Sequence, residues 1–180
     1  MTGYDGSVLG LGSRTLHRLR AILERDLGDQ AGPVLQEAGF AAGDELYDAW
    51  SGWLAERTGV SDPGDLDARH LSKLLGDFFR SLGWGHLRVE RMGAALAVDA
   101  DQWAEATPDT GAYTPTCHVT SGILAGLLGR LADHHIAVLE VECRSRGDEH
   151  CRFLAGSPET LQAVYDGVNA GRDYREVLGA

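Results

Sequence analysis

No run of about 18 consecutive apolar residues occurs in the 180-residue sequence, so no membrane-spanning helix is expected. Met1 is followed by T-G-Y-D-G, not by a basic segment and an apolar core, so no signal peptide is expected and the chain reads as cytoplasmic. Basic residues are scarce: 16 Lys and Arg face 27 Asp and Glu, a net charge of −11, with no basic cluster to meet phosphates. Nucleic acid is therefore not an expected partner. Cysteine is scarcer still. Three residues, an odd number, fit poorly with a secreted disulfide scaffold and better with thiolates held by a metal in a reducing compartment. Nucleophile motifs, a phosphate loop and a dinucleotide fingerprint are all missing. G-L-G-S at 10–13 is too short and precedes no strand-turn-helix context. No catalytic residue is assigned, and no internal repeat is found.

What is present suggests one domain, with residues 1–12 a flexible N-terminus, 13–172 the domain and 173–180 a less ordered tail. Leu16, Leu19, Leu23 and Leu27 recur at helical steps, predicting a helix from a Ser13 cap to Leu27 with one apolar face. A longer helix is expected from Pro33 to Gly59, its apolar side traced by Val34, Leu35, Ala38, Ala42, Leu46, Ala49, Trp50 and Trp53. A third runs from Asp67 to Leu82. The period then changes to two. H-L-R-V-E-R-M and A-A-L-A-V predict an antiparallel pair turning at Gly93. D-A-D-Q-W-A-E-A suggests a short helical turn carrying Trp103, and Thr114-Pro115 the start of a helix to Leu131. Glycines 122, 126 and 129 cost that helix about 1 kcal/mol each against alanine, which implies close backbone packing. Two strands, I-A-V-L-E-V-E-C and C-R-F-L-A, follow, and Ser157-Pro158 opens a last helix to Val168. The fold class is α+β, with N-terminal helices packed on one side of a twisted antiparallel sheet of about four strands.

All three cysteines, Cys117, Cys143 and Cys151, fall in one run from residue 117 to 153, and Glu140 lies three residues before Cys143. Three thiols and a carboxylate from a helix and two strands suffice for a closed four-coordinate site, and zinc suits that donor set. The competing reading is that these are ordinary buried cysteines. One obstacle is parity: residues three apart on a regular strand face opposite ways. Glu140 and Cys143 reach one ion only if the strand is irregular, which predicts a bulge near Glu142. His118 and His150 flank two of the cysteines as substitute ligands.

Cys117 opening the Gly-rich S-G-I-L-A-G-L-L-G helix, followed by V-E-C-R-S-R-G-D-E-H-C-R-F, resembles the 4-vinyl reductase domain family, as in the ligand-sensing domains of phenol- and aromatic-hydrocarbon-responsive activators. The resemblance implies a structural zinc ion on Cys117, Glu140, Cys143 and Cys151, pinning a C-terminal helix-strand-strand unit. It also implies a fold shared with trafficking-complex subunits and haem-based gas sensors, and homodimers formed through N-terminal helices. In the sensor members an aromatic ligand lies between helices and sheet, which nominates Trp103, His86, Phe79 and Tyr113 as ligand-binding residues. Three functions compete. The first is a zinc-stabilised sensor or carrier for a hydrophobic small molecule, passing its signal to a protein partner. The second is an enzyme or accessory factor of tetrapyrrole (bacteriochlorophyll) metabolism related to 4-vinyl reduction, and the third a structural interaction subunit. Nothing in the sequence supplies a hydride or binds a flavin, so a non-enzymatic role ranks first.

Overall fold

The structure is a computed structural model that describes residues 10–180; the expectation of a flexible N-terminus falls largely outside the described residues. Six helices and four strands follow in the order α1 (Ser13–Leu27), α2 (Ala31–Thr58), α3 (Ala68–Ser81), β1 (His86–Met92), β2 (Ala95–Asp101), α4 (His118–Ala132), β3 (Ala137–Glu142), β4 (Cys151–Gly156), α5 (Pro158–Asn169) and α6 (Tyr174–Leu178). The strands form one antiparallel sheet in the order β1-β2-β4-β3. The α+β class and the four-stranded sheet are as expected.

Alternation along the strands assigns their two faces. Leu87, Val98, Ala100, Phe153 and Ala155 join one apolar cluster with Trp50, Trp53, Phe78 and Leu124 of the helices. Ala95, Ala97 and Leu154 point the other way and pack with Leu161, Val164, Tyr174 and Leu178. Helices therefore cover both faces, not one. The supposed tail contains α6, whose Tyr174 and Leu178 are only 7% exposed. Five residues are too short for helical periodicity to register, and their order comes from docking on the sheet.

α2 and α4 meet backbone to backbone. A Cβ added at Gly39 would lie 2.2 Å from the Val119 carbonyl oxygen, and one at Gly122 only 2.1 Å from that of Gln36. The expected cost of glycine in α4 is thus offset by a contact that no larger residue permits. At the rim of the sheet, α3 lies on β1. The Val89 N–H donates to the Ser72 hydroxyl at 2.8 Å, and a Cβ at Gly76 would meet the Leu87 carbonyl oxygen at 2.4 Å.

Several local expectations need correction. Gly12, not Ser13, occupies the N-cap of α1. Its leucine face is not a core face: Leu19 and Leu27 are 48% and 42% exposed, and the residue it buries is Arg20. A 3-10 turn at Gly28–Gln30 leads into α2, which starts at Ala31, before Pro33. Val34 is 42% exposed because α2 turns Leu35, Gly39, Gly43 and Leu46 inward instead. Asp99, Ala100 and Asp101 extend β2, their backbones paired with Arg88, Leu87 and His86, so Trp103 follows a strand and lies in no helix. Thr114-Pro115 precedes α4, whose N-cap is Cys117.

Candidate metal centre and aromatic cluster

Cys117 stands at the N-cap of α4, Glu140 on β3, Cys143 just beyond it and Cys151 at the start of β4. All four are buried, and one ligand atom from each lies within 4.8 Å of every other. The predicted irregularity is what brings them together. Glu140 pairs with Phe153 and Glu142 with Arg152, so β3 carries one extra residue there. Val141 packs on the α6 side, and Glu142 also turns that way, to Tyr174. Cys143 is thereby returned to the face of Glu140. Beyond the bulge the chain is folded back by Asp148, which accepts the Cys143 N–H at 2.7 Å, and by Gly147 at φ 104°. Asp148 is thus part of a built turn, where the sequence suggested a solvated one.

The sulfur separations test the fit. Cys117 Sγ lies 3.9 Å from Cys143 Sγ and 3.8 Å from Cys151 Sγ. Those distances rule out disulfides, whose sulfurs lie about 2.05 Å apart. Thiolates placed tetrahedrally at about 2.3 Å from zinc have sulfur–sulfur edges of about 3.8 Å. Glu140 adds a second indication. Its Oε2 accepts the Cys117 N–H at 2.8 Å, while its buried Oε1 has no hydrogen-bond partner among the described residues. A carboxylate oxygen left so in a buried site fits a cation. The Arg144 N–H, 3.5 Å from Cys151 Sγ, is placed to support a thiolate.

Electrostatics agree. Burial, and then the charge on Cys143, push the Glu140 carboxyl up to about 9. Hydrogen bonding with Cys143, then with Cys151, raises the Cys117 thiol far above its usual range. For Cys151 the bond from Cys117 is outweighed by Cys143 and burial, and the thiol is also raised. Cys143 alone is driven down, chiefly by the hydrogen bond from Cys117. Three thiols and a carboxyl thus hold a single negative charge among themselves, and a divalent ion would displace the remaining protons. Neither flanking histidine joins the cluster. His150 Nε2 is 3.2 Å from Glu142 instead, and the half-buried His118 ring packs against Gly32.

The four proposed ligand-binding residues divide. Trp103 and Phe79 are buried with ring centroids 5.7 Å apart, and Trp84 joins them at 5.5 Å from Trp103. Trp103 Nε1 donates to Thr120 Oγ1 at 2.7 Å, and that hydroxyl donates to Glu105 at 2.5 Å. His86 lies on the exposed side of β1, hydrogen-bonded to Arg80, and Tyr113 is 99% exposed; neither reaches the aromatic cluster. A cavity of about 330 Å³ between α3 and β1 is lined by Ser72, Lys73, Asp77, Leu87 and neighbours, and by none of the four.

Sequence reasoning missed a polar strap. Residues 102–117 run from Trp103 to Cys117 and are tied down at three places. Glu105, 1% exposed, accepts the Val119 and Thr120 N–H groups at the start of α4; burial raises its carboxyl, against the hydrogen bonds of Thr120. Ser145, fully buried in the turn after Cys143, accepts the Thr107 N–H and the Thr116 hydroxyl, both at 2.9 Å. His17 and Arg20 bind the strap from α1. A second network, Asp99–Arg152–Tyr174–Glu142, fastens α6 beside the bulge. None of these residues carries a sequence signal, because isolated charges and hydroxyls read as solvent-facing.

Comparison with known proteins follows the same division of the chain. Residues 98–157, which contain all four clustered ligands, match the 4-vinyl reductase (4VR) domain. The bacteriochlorophyll synthase 23 kDa chain of Cereibacter sphaeroides is 31% identical over 141 residues, covering 77% of this chain and 66% of that one. The phenol-responsive sensory domain of the transcription activator PoxR, crystallised with phenol, superposes with a TM-score of 0.61 at 17% identity, covering 82% of this chain and 75% of the other. Trafficking protein particle complex subunit 3 of Naegleria fowleri, covalently bound to palmitic acid, gives a TM-score of 0.61 at 15% identity over 80% and 91% of the two chains. At these identities the two structures show a common fold.

Proposed function

Starting from the 4-vinyl reductase domain that residues 98–157 form, we propose that this chain is a zinc-stabilised binding domain, a sensor or carrier, for a hydrophobic or aromatic small molecule. The observation that carries the reading is the buried set Cys117, Glu140, Cys143 and Cys151, with its tetrahedral spacings and unpartnered carboxylate oxygen. Four protein ligands leave zinc no open position for water, so the ion fastens α4, β3 and β4 together and performs no chemistry. In this reading the chain is a binding module and not an enzyme.

The ligand class follows from the other half of the core. Trp53, Phe78, Phe79, Trp84 and Trp103 form a continuous aromatic cluster beside the sheet. The buried indole N–H groups of Trp50 and Trp53 have no acceptor among the described residues. An aromatic ring bearing one acceptor oxygen, as in phenol, matches an apolar site with a few polar groups. The shared fold of the phenol-responsive domain supports this choice. Pairing of two copies through the exposed Leu19, Leu27, Val34 and Phe40 belongs to the same reading.

A second reading, an accessory role in bacteriochlorophyll synthesis, is favoured by the 31% identity to the Cereibacter chain. Native mass spectrometry of protein purified from cells, with a phenol titration followed by tryptophan fluorescence, separates the two. The first reading expects about one zinc per chain and saturable quenching. Absence of zinc after purification from zinc-replete cells overturns it, and a co-purifying porphyrin precursor establishes the second reading in its place. A tight protein partner with no small ligand points to the structural subunit.

A further inference from the structure

The residue that α1 buries is a cation, and nearly everything that cation touches belongs to the strap leading into Cys117. Arg20 is 7% exposed. Its Nη1 donates to the Glu105 carbonyl at 3.1 Å, to the Thr116 carbonyl at 3.3 Å and to the Thr116 hydroxyl at 3.2 Å. Its Nη2 donates to the Thr107 hydroxyl at 2.7 Å. Among the described residues its one ion pair is with the half-exposed Glu24, at 3.6 Å.

A buried guanidinium so weakly paired costs free energy that an apolar side chain of the same volume would not. What it offers in return is geometry. The planar fork fixes several acceptors at once, which neither an aliphatic chain nor a lysine can do. The acceptors here are informative. Thr116 immediately precedes Cys117, so its carbonyl belongs to the peptide that carries that cysteine. The Thr116 hydroxyl, with Arg20 on its accepting side, donates to Ser145 at 2.9 Å and lies 3.8 Å from Cys143 Sγ. Ser145 stands in the turn between Cys143 and Cys151.

We infer that Arg20 is a positioning residue for the metal centre. It holds the peptide before Cys117 and orients the Thr116 hydroxyl, so that sulfurs from α4 and from the β3–β4 turn face a common point. A divalent ion with three thiolates and one carboxylate carries a net charge of −2, and a buried cation one residue's length away also offsets that charge. The inference rests on the metal reading above and extends it to α1, which lies outside the stretch that matches the 4-vinyl reductase domain.

Cobalt(II) is the probe, because its visible d–d bands report tetrahedral sulfur coordination directly. The full chain is titrated with cobalt alone, and its affinity is read by competition with a chelator. Arg20→Ala is expected to lower cobalt affinity about 10- to 100-fold and to alter the d–d bands, as loss of outer-sphere support does. Arg20→Lys restores charge without the fork and should recover only part of the affinity. Thr116→Val, which leaves Arg20 in place, should shift both readouts the same way, and it decides the matter should Arg20→Ala fail to fold. Arg18→Ala, on the exposed side of the same helix, should match the wild type. Wild-type affinity and spectrum in folded Arg20→Ala, or in Thr116→Val, overturn the positioning role while leaving the metal reading intact. A wild-type chain that takes up no cobalt overturns the metal reading and this one with it.

Discussion

Glu140 concentrates the problem the site has to solve. A carboxylate 7% exposed, with one oxygen on the Cys117 N–H and the other unpartnered, is a poor structural residue and a good ligand. Glu140→Gln keeps the shape and the bond to Cys117 while removing the charge. It should leave the circular dichroism spectrum unchanged and weaken zinc binding at least tenfold, about 1.4 kcal/mol, in a chelator competition. Unchanged affinity would show that the carboxylate is not a ligand. The cysteines and Glu140 were legible from the sequence because few residue types bind zinc and they cluster in one stretch. The bulge was legible from the same residues, since the parity of Glu140 and Cys143 demanded it. Arg20, Thr116 and Ser145 were not: their roles depend on segments about 100 residues apart, and a helical arginine by itself reads as solvated.

Among the elements, the α2–α4 pair is the most tightly specified. Its glycines are not interchangeable, and that is measurable on one helix. Gly52 of α2 has nothing within 4 Å of an added Cβ, so Gly52→Ala should stabilise the protein by about 0.5–1 kcal/mol through helix propensity. Gly39→Ala, on the same helix, should destabilise it by about 1–3 kcal/mol, because the methyl meets the Val119 carbonyl. Urea denaturation of the three proteins checks both signs. Helix positions were largely legible from periodicity, and the close packing from the run of small residues. α1 misled for a physical reason: its leucines have helical spacing, but the body offers it a polar strap and no apolar groove.

At the scale of the molecule, the sheet separates two cores, and the metal centre sits where the strands leave it. The helices on one face include α4, which supplies Cys117, and α6 on the other face is tied to Glu142 and Arg152, each adjacent to a cysteine ligand. Removing the ion should therefore loosen both faces together. A strong chelator is expected to lower the melting temperature and broaden the transition, with Tyr174 and Trp103 both more exposed by fluorescence quenching. An unchanged melting temperature after demonstrated metal loss would mean that the cluster does not hold the fold together. The two-sided arrangement was not legible, because D-A-D at 99–101 reads as a loop and its Asp99 is buried only by pairing with Arg152.

The seal that α3 places on β1 has one more consequence. With Ser72 taking the outward N–H of Val89, and Gly76 resting on the Leu87 carbonyl, that rim has little left to offer an incoming extended peptide. Sheet growth by strand addition, whether in a swapped dimer, a fibril or capture of a partner's tail, is blocked along this margin, and any β-mediated assembly must begin at β3.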